Sequence, residues 1–153
     1  MIDKIDVQIL NILQEDARTK RNVLAEAVGL SLPSLSERLK KLEERGVITG
    51  YFTKIDLKGF GFDIITFVTV HVDSSRHFDT FAKHVNETEE ILECYAVLGE
   101  GSHIMKTLVK NSESLENLLG RIQSWKGVTR THSRFVLSTV KETTKVIIKV
   151  KEK

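Results

Sequence analysis

The stretch LSLPSLSERLKKLEERGVITGY, Leu30 to Tyr51, decides how the first third of this chain folds. Leu35, Leu39 and Leu42 recur at helical spacing, on a segment that Ser31 can cap and that takes Pro33 in its first turn, where a missing amide proton costs nothing. Ser34 to Glu37 also fits a capping box, which leaves the first helical residue open. On a helical wheel the arc opposite the leucines holds Pro33, Ser34, Glu37, Lys40, Lys41 and Glu44, with Arg38 and Arg45 on its flank. Gly46 ends the helix, and GVITGYFTKID then alternates like two short strands about a turn at Thr49 and Gly50.

A polar outer face is what any solvated helix carries, so the neighbouring sequence has to distinguish a core helix from a reading helix. Upstream, Ile2, Ile5, Ile9, Ile12 and Leu13 follow helical spacing over Lys4 to Glu15, with Asp3 placed to cap and Asp6 in the first turn. A polar break follows, and Asn22 opens a short helix that turns Val23, Leu24, Ala27 and Val28 inward and stops at Gly29. Two helices about a tight glycine turn, the second polar and basic outside, followed by a hairpin, describe a winged helix-turn-helix. Small hydroxyls let such a helix approach a groove closely, and Arg can donate twice to guanine. Ser34, Ser36, Glu37 and Arg38 are therefore the candidates for base edges. Lys40, Lys41 and Arg45 are the candidates for phosphates, with Lys20, Arg21 and Lys54 assisting. Glu37 can accept from a cytosine amino group or pair with Lys41 one turn later, and the pair is the favoured alternative.

Charge points the same way once it is located. The net charge of +2 is uninformative, but nine Lys or Arg face five Asp or Glu between Arg18 and Lys58, against thirteen and twelve from Gly59 onward. No run of residues approaches the ~20 apolar positions of a membrane span, and the amino terminus carries no leader pattern, so a soluble, cytoplasmic protein is expected. The lone Cys94 reads as a small buried hydrophobe. None of the five histidines forms a metal-ligand spacing with another ligand, and there is no phosphate-binding glycine loop or nucleophile elbow, so neither catalysis nor a cofactor is expected.

The remaining chain alternates differently. IITFVTVHV (Ile64 to Val72), ILECYAVLG (Ile91 to Gly99), HIMKTLVK (His103 to Lys110) and Val128 to Val140 read as strands. Helical spacing appears at Phe78, Phe81, Ala82 and Val85, and at Leu115, Leu118, Leu119 and Ile122 after a cap at Ser112. The order βαββαβ is ferredoxin-like, with both helices on one face of a four-stranded antiparallel sheet. The other face is then apolar and open, and a second copy is its simplest cover. KVIIKV, Lys145 to Val150, reads as a further strand, added to its own sheet or crossing to a partner, and Gly59, Phe60 and Gly61 mark the joint between two domains, 1–58 and 59–153.

Together these halves resemble the leucine-responsive/asparagine-regulator (Lrp/AsnC) family of prokaryotic transcription factors over about Ile2 to Val146. The residues that carry the likeness are IDKID from Ile2, then Ile9, Leu10, Leu13, Gln14, Asp16, Ala17, Arg18, Leu24 and Ala25. It continues through the GLS from Gly29, Arg38, Leu42, Glu43, the GVI from Gly46, Gly50 and Tyr51, and then through Glu93, Cys94, Gly99, Lys106, Gly127, Val128, Thr131 and Ser133. The resemblance implies an α+β fold, an N-terminal winged helix-turn-helix plus a C-terminal ferredoxin-like βαββαβ regulator-of-amino-acid-metabolism (RAM) domain. It further implies sequence-specific binding of double-stranded DNA by a homodimer that stacks into tetramers or octamers of dimers. Amino acids or related small molecules are expected as effectors between dimers, at Gly99, Glu100, Gly101, Ser102 and His103 and at the hydroxyls of Thr131 and Ser133. The family loop often reads Gly, Asp, any residue, Asp; here Glu100 keeps the first acid and Ser102 replaces the second, so one carboxylate for an ammonium group is missing. Two alternatives share this architecture: a nucleoid-associated architectural protein that coats DNA without choosing sequence, and an enzyme resembling the sirohaem decarboxylases, which nothing positive in the residues favours.

Overall fold

The computed structural model describes residues 2–149. They form two compact units, one made of the residues up to Lys54 together with those from Lys141 onward, the other spanning Ile55–Val140.

In the first unit, helix α1 (Lys4–Glu15) begins at a reciprocal capping box: the Asp6 amide donates to Asp3 Oδ1 at 2.9 Å and the Asp3 amide to Asp6 Oδ2 at 3.0 Å. Helix α2 (Arg21–Ala27) is followed by Gly29 at φ +68°, the left-handed conformation that lets the chain reverse before α3 (Leu32–Glu44). Ser31 caps α3 by accepting from the Ser34 amide, so the helix starts at the earlier of the two places the sequence permits. Leu35, Leu39 and Leu42 pack with Ile9, Leu10, Leu24, Ala25 and Val28 into one core, against which Val47 and Ile48 also lie.

The stretch after α3 departs from its alternation. Residues 46–56 contain no paired strands. The Val47 and Ile48 amides both donate to Leu42 O, at 2.9 and 3.1 Å, and the Tyr51 hydroxyl donates to Glu43 at 2.8 Å, folding the segment onto α3. A two-stranded ribbon has little stability without a third strand or a helix beneath it; here Val47 and Ile48 pack against the helical core while Phe52 and Ile55 are exposed.

The second unit is a four-stranded antiparallel sheet in the order β2-β3-β1-β4, made of β1 (Ile64–Val72), β2 (Ile91–Ala96), β3 (His103–Val109) and β4 (Val128–Phe135). Helices α4 (Phe78–Asn86) and α5 (Ser112–Ser124) supply Phe81, Leu118 and Ile122 to a core with Val68, Val70, Met105 and Val109. Cys94 lies half-buried against this core, where burial pushes its thiol up. The cap of α5 is Asn111, whose side chain accepts from the Ser114 amide at 2.8 Å, one residue earlier than expected. The opposite sheet face carries Ile65, Phe67, Ile104, Leu108 and Tyr95, with Lys106 paired to Glu93 at 3.6 Å.

Past Phe135 the chain leaves the sheet, five residues before the expected strand end at Val140. Residues 145–149 form no strand; they lie along α1, so the chain beyond Lys141 belongs with the first unit and not with a second domain running from residue 59. Val150, the last residue of the expected KVIIKV strand, lies outside the described residues. No described helix is long and apolar enough to cross a membrane.

Candidate nucleic-acid interface and effector loop

The geometry of α3 follows from its burial. Leu35, Leu39 and Leu42 are at most 1% exposed, which fixes the helix by one side and turns Ser34, Ser36, Glu37, Lys40 and Lys41 to solvent. The Ser31 hydroxyl donates to Ser34 Oγ at 2.9 Å, leaving the Ser34 proton for another acceptor. Glu37 takes Lys41 at 2.6 Å, the pairing favoured from sequence, and Lys41 accordingly holds the Glu37 carboxyl below the usual range. Lys40 reaches Glu44 at 3.7 Å. Both pairs are exposed and therefore cheap to exchange for phosphate oxygens. Arg45, at the end of α3, and Lys20 and Arg21, at the start of α2, are also exposed.

Arg38 is placed differently from the expectation that it reads bases. Its Nη1 lies 2.7 Å from Asp3 Oδ2 and 2.8 Å from Asp6 Oδ1, in a cleft of about 430 Å³ between the start of α1 and the flank of α3. The Asp6 side chain is only 8% exposed, so this guanidinium supplies the hydrogen-bonding partner and counter-charge that a nearly buried carboxylate needs. Arg38 joins the start of α1 to α3. Lys54 is likewise engaged, 2.7 Å from Glu142, in an exposed pair. The wheel position of Arg38, on the flank rather than the outer arc, was the available signal; the identity of its partners was not, because Asp3 and Asp6 lie more than thirty residues away in sequence.

The expected effector residues divide in the same manner. Gly99 and Glu100 are exposed on the loop between β2 and β3. Gly101 has φ +84°, and a Cβ there would come within 2.5 Å of Thr69 Cγ2 and 3.1 Å of Val70 O. Replacing Gly101 by Ala is thus expected to cost about 1–3 kcal/mol, visible as a lower melting midpoint of the sheet unit; an unchanged midpoint would show that the loop yields freely.

Ser102 and His103, both expected at the effector loop, make contacts within the sheet unit. Ser102 donates through its amide and its hydroxyl to Val70 O, at 2.9 and 3.2 Å, and its Oγ accepts from the Val72 amide at 3.0 Å. The hydroxyl that replaces the family's second acid therefore locks the loop to β1. His103 is buried, its ring 4.9 Å from Phe78 and 4.6 Å from Phe81, with Nδ1 2.9 Å from Ser102 Oγ. Burial lowers its pKa, since a charged ring would sit against apolar faces. A folded imidazole that takes up protons less readily than the unfolded one contributes stability above the ordinary His range and loses it as pH falls through the folded value. Melting at pH 7.5 and pH 5 is expected to show a larger acid-induced drop for the wild type than for His103→Phe; equal drops would refute this.

Thr131 and Ser133 lie on β4, opposite Val70 and Val68. Thr131 Oγ1 accepts from Gln123 of α5 at 2.8 Å and keeps its own proton to donate. His103 pairs with Val70 on the other side, so loop and hydroxyls share one row across the sheet, two strand spacings or roughly 10 Å apart. One chain thus presents a loop and a hydroxyl row on the same strip.

Comparison with known proteins agrees with both halves. Residues 2–49 match the family described as winged helix-turn-helix DNA-binding, and residues 65–146 match the Lrp/AsnC ligand binding domain. The HTH-type transcriptional regulator FL11 of Pyrococcus horikoshii is 36% identical over 148 residues, 97% of each chain. The leucine-responsive regulatory protein of Escherichia coli is 32% identical over 153 residues, 98% of this chain and 93% of that one. Among solved structures, a Neisseria meningitidis transcriptional regulator in complex with L-Met has a TM-score of 0.90 at 29% identity, covering 95% of this chain and 96% of that one. A feast or famine regulatory protein from M. tuberculosis complexed with L-methionine also gives 0.90, at 31% identity, covering 97% of this chain and all of the other. With a helix-turn-helix unit whose α3 turns a polar, charged face to solvent, a ferredoxin-like sheet unit and relatives named as transcription regulators that match over most of their length, this chain belongs to the Lrp/AsnC family of DNA-binding transcription regulators.

Proposed function

We propose that α3 reads the major groove through Ser34 and Ser36 while Lys40, Lys41 and Arg45, assisted by Lys20, Arg21 and Lys54, hold phosphates. The observation that carries this is the division of α3 itself, leucines buried on one side and hydroxyls and cations exposed on the other. Arg38 is left out of the reading set because Asp3 and Asp6 occupy it, and Glu37 serves α3 through Lys41. The functional molecule in this proposal is a two-fold dimer joined through the open sheet face, where Phe67 and Tyr95 are exposed beside Ile65, Ile104 and Leu108. Two copies of α3 then occupy successive major grooves, about 34 Å apart. Phe67→Glu is the dimer test: light scattering is expected to show the wild type as a dimer or larger and the variant as smaller, and an unchanged mass contradicts the interface.

We also propose that the strip bearing Glu100, Thr131 and Ser133 takes an amino acid or related small molecule, as two structural relatives take L-methionine. A single carboxylate at the loop, with Ser102 withdrawn into β1, leaves Glu100 to meet the ligand's ammonium group. Calorimetric titration with L-methionine and other amino acids is expected to find a ligand whose binding Glu100→Gln weakens at least tenfold while the melting midpoint stays put. Full binding by Glu100→Gln would remove it from the site.

Gel-shift comparison of a duplex selected from a random pool with an unrelated duplex tests the regulator reading against non-selective coating. Preference of about a thousandfold is expected for a specific regulator. Equal affinities would favour an architectural role.

A further inference from the structure

The most unexpected contact in the first unit is that between α1 and the end of the chain. The Gln14 carboxamide brackets one residue: its Oε1 accepts from the Val146 amide at 2.8 Å and its Nε2 donates to the Val146 carbonyl at 3.0 Å. Three residues earlier on the same helical face, Asn11 Nδ2 donates to the Ile148 carbonyl at 3.4 Å. Along the helix axis i and i+3 stand about 4.5 Å apart and i and i+2 on an extended chain about 6.5 Å, a difference two flexible side chains span, with the two running in opposite directions. Contacts to both backbone groups of one residue are those a neighbouring β-strand would make. Ile148 packs against the helical core, Lys145 pairs with Glu15, and Glu142 pairs with Lys54.

We infer that the Asn11–Gln14 face of α1 is a docking surface for an extended segment, that its occupant is this chain's own residues 141–149, and that docking makes this segment a second tether for the DNA-binding unit. The chain passes between the two units twice, after Lys54 and after Val140. The second passage continues from β4, the strand of Thr131 and Ser133. With the tail docked, the sheet unit is fastened to the helical unit at both of its ends, and independent reorientation of the helical unit is restricted. The consequence for DNA, that heads held in this way find paired grooves more readily, rests on the function proposed above; the tether itself does not.

The test uses the full chain carrying Ser36→Cys and Cys94→Ser, labelled with a fluorophore at position 36, alone and with Gln14→Ala plus Asn11→Ala or with the chain ended after Val140. Hydrogen exchange on the unlabelled proteins reports docking. We expect the Val146 amide to exchange at least tenfold faster once Gln14 and Asn11 are replaced, with α1 itself unchanged. Time-resolved anisotropy is expected to gain a fast segmental component in both altered chains. An unprotected Val146 amide in the wild type, or protection that survives the double substitution, overturns the docking. Identical anisotropy decays overturn the tether even if the segment docks. Protection that vanishes on dilution assigns the groove to a second copy and also overturns it. A wild type that fails to bind duplex DNA counts against the proposed function and leaves these outcomes unaffected.

Discussion

Replacing Lys40, Lys41 and Arg45 together by Ala is expected to abolish measurable operator binding at ~0.15 M salt while leaving the fold intact. The three side chains are exposed on or just beyond the outer arc of α3, and the ion pairs that two of them make, with Glu44 and Glu37, are surface pairs worth tenths of a kcal/mol each. Phosphate contacts are worth far more in aggregate, because each releases condensed counterions and contributes about 0.9 to the slope of log K against log salt. The proposed dimer would lose six such contacts, so the slope should flatten by about five units, and affinity at moderate salt should fall at least a hundredfold. Fluorescence titration of a selected duplex from ~0.05 to 0.3 M salt measures both. A variant with the wild-type slope would place the phosphate contacts elsewhere.

Arg38→Ala is expected to act on stability and leave base preference alone. Removing the guanidinium strands Asp6, 8% exposed, beside Asp3 with no cation between them. A partly desolvated carboxylate in that position costs on the order of 2 kcal/mol, between the values for surface and buried pairs, which lowers the melting midpoint of the small helical unit by roughly 10 °C. The Asp3 carboxyl is held below the usual range first by the Asp6 amide and then by Arg38. A depressed folded pKa gives stability that is present above the unfolded carboxylate value and is lost as pH falls through the folded one, so the wild type weakens in acid. Arg38→Ala removes the second cause and should show a shallower acid loss. Competition among singly substituted duplexes at a temperature where both proteins are folded should give the same ranking for variant and wild type. A changed ranking at one base position, with an unchanged melting midpoint, would return Arg38 to the groove.

These two substitutions also show how far the sequence could be followed. The apolar spacing and the cap at Asp3 located α1 to within a residue, and the leucines located α3 with its start open between two caps, because capping and amphipathic burial are local and leave a periodic trace. β1 was equally legible from its run of β-branched residues. The segment after α3 was not, since alternation in GVITGYFTKID is the same whether Val47 and Ile48 face a partner strand or pack against a helical core. Arg38, His103 and the tail share another reason. Each is decided by a partner distant in sequence: Asp3 and Asp6, Phe78 and Phe81, and Gln14. Its place on the flank of α3 marked Arg38 as a candidate and the family resemblance marked His103, and only the fold shows which side chains each one meets. Ser102 repeats the lesson, as the loss of an acid was visible but the gain of three hydrogen bonds to β1 was not.

The claim on which the functional account stands is that the outer side of α3 enters the groove. A photo-crosslinking side chain at Ser36 of the full-length protein, with Asn117 on the exposed side of α5 as the control position, addresses it directly on a selected duplex. Adducts from position 36 to major-groove bases at two places about 34 Å apart, and none from position 117, are the predicted result. Adducts from 117 with none from 36, at a salt concentration where the duplex is fully bound, would contradict it.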